Sequence, residues 1–224
     1  MLLIARALGG LAFLLAAIAA VIFLSAGTLS YPQGWTFLVF FGTCVLLVTL
    51  YLIAKDQALL ERRTRAGPTA ETDARQKAIQ AGASMAFIAI FIVSSIDHRF
   101  GWTHPASWVE RVGDALVALG LFVVWLVFRE NTFTAGTIEV APNQKVISTG
   151  PYSLMRHPMY SGAFIMLTGT PLALGSYWGL VPVGVLMLII IARLLQEERF
   201  LAASLPGYSA YLGAVRIRLA PFIW

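Results

Sequence analysis

Trp35–Ile53 reads WTFLVFFGTCVLLVTLYLI, nineteen consecutive residues without a charge. About 20 predominantly apolar residues carry a helix across the hydrocarbon core, and backbone exposed to lipid must satisfy its own hydrogen bonds. The stretch therefore reads as a transmembrane helix. Five further apolar segments surround it: Ala7–Leu24, Ala78–Ile96, Val112–Phe128, Tyr160–Leu174 and Tyr177–Leu195. The first is too long, and too weakly basic at its start, for a cleaved signal peptide, and is read as a retained helix. Tyr160–Leu174 has only 15 residues and forms a hairpin with the last segment around Gly175-Ser176, tilted or not fully crossing. The predicted fold is all-α, a polytopic bundle of five to six transmembrane helices. Residues 1–130 make a four-helix membrane region, and residues 131–224 a loop, a helical hairpin and a polar tail.

Composition agrees. Residues are 58% hydrophobic and 12% charged, against about 25% charged in a soluble domain. The net charge of +5 is not arranged for nucleic acid, because six of the sixteen basic residues lie between Lys55 and Lys77 among Asp56, Glu61, Glu71 and Asp73. Juxtamembrane loops on the cytoplasmic side look like this, and the stretch reads as structural. Cys44, the only cysteine, sits inside an apolar run and supports neither a disulfide framework nor a thiolate metal site. Ser25–Gly34 is uncharged, and Asp97–Arg111 carries only Arg99 and Arg111. The positive-inside rule then places both termini and the charged tail in the cytoplasm. His98 and His104 fall on the opposite face with no partner spaced for a metal and read as surface residues. Asn131–Gly150 is too polar to span and too apolar for a free linker, and reads as an ordered cytosolic loop over the bundle.

Two polar clusters flank the last hairpin. The first is GPYSLMRHPMYSG, Gly150 to Gly162. Pro151 and Pro158 each push the preceding residue out of helical conformation, and Pro158 suits the first position of a helix. His157 is thereby held extended at a helix mouth, with Arg156 and Tyr160 beside it. The second cluster is RLLQEERFL, Arg193 to Leu201, followed by a break at Leu205-Pro206-Gly207 and by Tyr208 and Tyr211, three apart. Arg216 and Arg218 project to one side if the tail is extended. Plainer readings exist: Arg156 and His157 as interfacial anchors, Arg193 and Glu197 as a helix-surface pair, Tyr160, Tyr208 and Trp224 as an aromatic belt.

The order of these elements resembles the isoprenylcysteine carboxyl methyltransferase family, and is broadly similar to the related phospholipid methyltransferases. The residues that carry it are Gly150-Pro151-Tyr152, Arg156-His157-Pro158, Tyr160 and Gly162, then Arg193, Glu197-Glu198 and Leu201, then Gly207-Tyr208 and Tyr211, and a basic stretch ending at Pro221. The resemblance covers about Asn131 to Trp224. It implies S-adenosylmethionine bound at the cytosolic end of the last helices, with Tyr152, His157, Tyr160, Glu197, Glu198 and Tyr211 lining or supporting the pocket. Where the family often has an arginine soon after the second tyrosine, this chain has Leu212-Gly213-Ala214-Val215 before Arg216 and Arg218.

Methyl transfer from a sulfonium is an in-line displacement, so positioning and water exclusion do most of the work. Aromatic faces such as Tyr152, Tyr160 or Tyr208 can hold the cation, and Glu197 or Glu198 the cofactor's hydroxyls or amino group. The two carboxylates lie about 100° apart around a helix, which argues for different roles. The acceptor that the resemblance implies is a lipophilic or lipidated molecule reached from the bilayer. A prenylated cysteine carboxylate clamped by Arg156 with Arg216 or Arg218 is favoured over a phospholipid amine. Other classes weighed are a sterol-type reductase, whose NADPH would want more basic residues near the site, and a small transporter, which tends to carry ionisable groups at mid-bilayer. The oligomeric state is left open.

Overall fold

The computed structural model describes residues 1–64, 73–134, 136, 140, 141 and 143–219. The middle of the Lys55–Lys77 stretch, with Arg65 and Glu71, lies outside the described residues, as do Pro142, Pro221 and Trp224. Eight α-helices form among the described residues: α1 (Leu2–Ala26), α2 (Pro32–Lys55), α3 (Gln57–Thr64), α4 (Ala74–Phe100), α5 (Ser107–Glu130), α6 (Pro158–Ala173), α7 (Leu180–Ser204) and α8 (Tyr208–Ala214). The described residues contain no strand. Five helices, α1, α2, α4, α5 and α7, are long and apolar enough to cross a membrane, which fits an integral multi-pass protein.

Helix ends follow local chemistry. Pro32 and Pro158 open α2 and α6 where a missing N–H costs nothing. Asp73 caps α4 by accepting from the Gln76 N–H at 2.9 Å. Gly27 and Gly101 close α1 and α4 in the left-handed conformation.

The sixth apolar segment keeps helical form to Ser204, nine residues past the predicted apolar run, until Leu205-Pro206-Gly207 breaks it. The fifth becomes α6, sixteen residues, or about 24 Å at 1.5 Å per residue. Its two ends nevertheless touch opposite ends of the bundle. At one, His157 meets Glu198 of α7. At the other, the Leu174 carbonyl accepts from the Tyr31 hydroxyl at 2.6 Å.

Helices α5 and α6 pack antiparallel, backbone against backbone. A methyl group on Gly169 would stand 2.6 Å from the Gly113 carbonyl oxygen, and one on Gly162 2.8 Å from that of Gly120. Small residues are what permit such an approach between membrane helices. The pairing also sets the level of α6. With Gly162 opposite Gly120, α6 begins near Val124, and α5 continues for six residues, roughly 9 Å, to Glu130. The short α6 thereby leaves a recess between the ends of α5 and α7.

The far end of the bundle is fixed by Asp97, which is fully buried. Its carboxylate accepts from the Thr103 N–H at 2.8 Å, the Thr103 hydroxyl at 2.6 Å and the Ser176 hydroxyl at 2.5 Å, joining the α4–α5 connection to the α6–α7 turn. His98, read as a surface residue, is half-buried and stacks on Tyr31 with ring centroids 3.8 Å apart; His104 is exposed. Asp97→Asn turns an acceptor toward two hydroxyl donors into an amide N–H₂, and is expected to cost about 1–3 kcal/mol. Thermal unfolding in detergent checks this, and an unchanged midpoint would remove Asp97 from the account.

Candidate functional site

The recess above α6 is lined by four polar or aromatic elements. From the 3₁₀ turn at Gly150–Ser153 and the α6 mouth come Tyr152, Arg156, His157, Met159 and Tyr160; from α7, Glu197 and Leu201; from α8, Tyr208 and Tyr211; and from the preceding loop, Asn131, Phe133, Gln144, Val146 and Ile147. The fold thus gathers residues that are as much as 80 positions apart in sequence.

His157 lies outside the helical region, as expected before proline, but at ψ 58° it stops short of the extended backbone the sequence suggested (φ −127°), and it is buried. The segment that leads into α6 pairs with the tail: the Arg156 N–H donates to the Ile217 carbonyl at 2.9 Å and the His157 N–H to the Arg218 carbonyl at 3.0 Å. The Ser161 hydroxyl adds a short bond to the Leu219 carbonyl. The tail is therefore strapped across the start of α6.

Beneath the strap, Glu198 collects three basic side chains. One oxygen lies 3.2 Å from Arg156 Nη1 and 3.1 Å from His157 Nε2, and the other accepts from Arg218 Nε at 3.1 Å. Arg156, His157 and Glu198 side chains are each less than a tenth exposed. Arg216 is exposed and contributes its backbone carbonyl, 3.4 Å from Arg156 Nη2. Arg156 Nε is buried with no hydrogen-bond partner among the described residues, while the side chain lines the recess.

Glu197 points elsewhere. It lines the recess and accepts from the Tyr160 hydroxyl at 2.6 Å. The one-residue step around the α7 helix thus separates a carboxylate facing the recess from one facing the tail. The Tyr211 hydroxyl donates to the Tyr152 carbonyl at 2.8 Å, pinning the 3₁₀ turn, and the Tyr152 hydroxyl accepts from Asn131 Nδ2 at 3.1 Å. Burial pushes the Tyr211 phenol up to about 12, and raises those of Tyr152 and Tyr208 further, so all three face the recess as neutral rings. Leu205, Tyr208, Tyr211, Val140, Val146 and Leu201 pack into an apolar roof.

Of the candidate residues read from the motifs, Tyr152, Arg156, His157, Tyr160, Glu197 and Tyr211 line the recess; Glu198 faces the tail with Arg218, and the Arg216 side chain is exposed. Missed were the residues of the loop. Asn131 and Phe133 follow directly on α5, and Gln144 to Ile147 carry no local motif, so nothing in the sequence marked them. The basic stretch after α2 also reaches further than its reading as a plain juxtamembrane loop. Arg62 donates two bonds to the Thr132 carbonyl, at 3.1 and 2.7 Å, and Arg63 lies 5.2 Å over the Phe128 ring and 4.0 Å from the Met159 sulfur. Gln80 and Arg193 both donate to the Gly136 carbonyl at 3.0 Å. The loop accordingly lies over the bundle, held by α3, α4 and α7.

Residues 109–206 match the model of the phospholipid methyltransferase family. That family belongs to the same group of membrane methyltransferases as the isoprenylcysteine carboxyl methyltransferases, so motif and match point to one group. The matched stretch runs from the first turn of α5 to the break after α7 and contains the recess-lining residues of α6 and α7. It supports a membrane methyltransferase that works on a lipid-like substrate. No curated protein and no solved structure matches the chain.

Proposed function

We propose, from the phospholipid methyltransferase match as premise, that this protein binds S-adenosylmethionine in the recess above α6 and methylates a lipophilic acceptor that arrives from the bilayer. The observation that carries the reading is the recess itself, where one carboxylate, Glu197, faces a set of neutral aromatic rings within the matched region. The donor set fits the cofactor. A sulfonium and an amino group are cations, suited to Glu197 and to the faces of Tyr152, Tyr160 and Tyr208. The cofactor's carboxylate suits the Lys145 ammonium, which lines the recess. Residues 131–224 carry this chemistry, seated on residues 1–130.

When bound, S-adenosylmethionine supplies an electrophilic methyl group on positively charged sulfur. The protein's residues then do three things. Glu197, oriented by Tyr160, holds the cationic end. The apolar roof of Leu205, Tyr208, Tyr211 and Val146 excludes water, so that charge interactions act at low dielectric. Glu198 fixes the orientation of His157 and Arg156 at the mouth of α6. The acceptor's attack needs no base if it is a carboxylate, the reading favoured here, for which an isoprenylcysteine-like molecule is the natural candidate; Arg156, whose buried Nε has no partner among the described residues, is the cation at hand for it. An amine acceptor needs a base to take its proton, and Glu197 supports that second reading together with the family match.

Glu197→Gln is expected to weaken S-adenosylmethionine binding tenfold to a hundredfold, from a loss of about 1.5–3 kcal/mol. Calorimetry with S-adenosylmethionine and NADPH on the purified protein is the test; affinity for NADPH alone would mean a reductase. Assays with a prenylated cysteine and with phosphatidylethanolamine decide the acceptor. Transfer to the amine lipid alone, with Arg156→Lys near wild type, would sink the carboxylate reading. The Lys/Arg excess puts the recess and both termini on the cytoplasmic side in this proposal; label reaching an engineered tail cysteine from outside would reverse it.

A further inference from the structure

Between α2 and α5 lies an apolar groove whose walls are Cys44, Leu47 and Val48 from one helix and Leu121, Phe122 and Trp125 from the other. Helical spacing extends both walls toward the end of the bundle that holds the recess. On α2 the stripe continues to Tyr51 and Lys55, and on α5 to Arg129. Both helices run toward that end, so the two cations emerge together, one turn beyond an aromatic pair. The Tyr51 and Trp125 rings meet edge to face with centroids 5.6 Å apart, Phe122 packs 5.5 Å from Trp125, and the Arg129 guanidinium lies 5.3 Å over the Trp125 ring. Lys55 and Arg129 are exposed. The nearest acids in sequence are engaged elsewhere: Asp56 accepts from the Leu59 N–H at 2.9 Å, and Glu130 accepts from the Thr149 hydroxyl.

Apolar trough, aromatic belt and paired cations succeed one another in the order that a phospholipid presents chain, glycerol backbone and phosphate. Aromatic rings favour the interfacial level, and basic side chains beside a membrane attract anionic lipid. We propose that this groove is a binding site for an anionic phospholipid of the bilayer, with an acyl chain between α2 and α5 and the headgroup phosphate between Lys55 and Arg129. The inference is independent of the methyltransferase reading, since no residue of the recess takes part.

The test uses the full chain reconstituted in vesicles containing phosphatidylglycerol or phosphatidylcholine with a photoactivatable acyl chain, and maps the labelled peptides by mass spectrometry. At low ionic strength, phosphatidylglycerol should label the groove segments of α2 and α5 at least about fivefold more than phosphatidylcholine, given roughly 1 kcal/mol for each basic residue near the surface. The double variant Lys55→Gln/Arg129→Gln, at two exposed positions, should bring the ratio close to one. Equal labelling by the two lipids in the wild-type protein, labelling confined to other helices, or a preference that survives in the double variant would each overturn the assignment. The wild-type comparison stands even if the variant is poorly made.

Discussion

Glu198→Ala is expected to destabilise the protein by about 3–5 kcal/mol, the cost of leaving buried charge without its partner. Arg156 and His157 are less than a tenth exposed, and Arg218 is about a third exposed, at 30%. Taking away the carboxylate leaves the buried Arg156 guanidinium and His157 without their shared acceptor, with little water to screen the charge. Glu198→Gln keeps the shape and one acceptor and should cost less, about 1.5–3 kcal/mol for a weakened set of charged hydrogen bonds. Because the tail is strapped to the Arg156–His157 backbone, the loss should show first as protease sensitivity after Leu205, before the bundle unfolds. Unfolding in detergent with limited proteolysis measures both. A change below about 1 kcal/mol in Glu198→Ala would mean a solvent-screened surface pair, and the strap would need another explanation. The variant also separates two roles. Glu197→Gln should weaken cofactor binding with little effect on stability, and Glu198→Ala should do the reverse in larger measure.

The second large effect concerns the α5–α6 contact. Gly120→Ala places a methyl group against the Gly162 carbonyl and the Met166 backbone, and overpacking of this kind costs about 1–3 kcal/mol. Gly120→Leu or Gly162→Leu cannot be relieved by side-chain movement alone, since the nearest obstacle at each is a backbone carbonyl oxygen of the other, and should yield no folded protein. The proper control is Gly9→Ala or Gly10→Ala. A methyl group there meets nothing within 4 Å, and the gain in helix propensity, about 0.5–1 kcal/mol, should leave stability equal or slightly higher. Expression and monodispersity in detergent give the readout. A well-behaved Gly120→Leu protein would show that α5 and α6 can part by several ångströms, and the level of α6, on which the recess depends, would no longer follow from the glycines.

The residues outside the bundle are arranged by the same logic. Arg62, Gln80 and Arg193 come from three helices and meet one loop. That is why a stretch of sequence without a motif becomes the wall of a recess.

What the sequence determined by itself is whatever depends on neighbours within a few turns. Uncharged runs such as Trp35–Ile53 must be helical in lipid, Pro158 must start a helix and keep His157 out of it, and Glu197 and Glu198 must face about 100° apart. The motif residues were legible for the same reason, being closely spaced along two segments. Only the tertiary structure decided which carboxylate faces the recess and which the tail, because that depends on how α7 is rotated against α6. It also decided that Arg156 and Arg218 hold Glu198, and that Asn131 and Phe133 line the recess. The spacing of Gly113 and Gly120, like that of Gly162 and Gly169, is visible in the sequence. Which helix lies against which is not, since a glycine leaves room for any backbone, and packing against lipid is as apolar as packing against another helix.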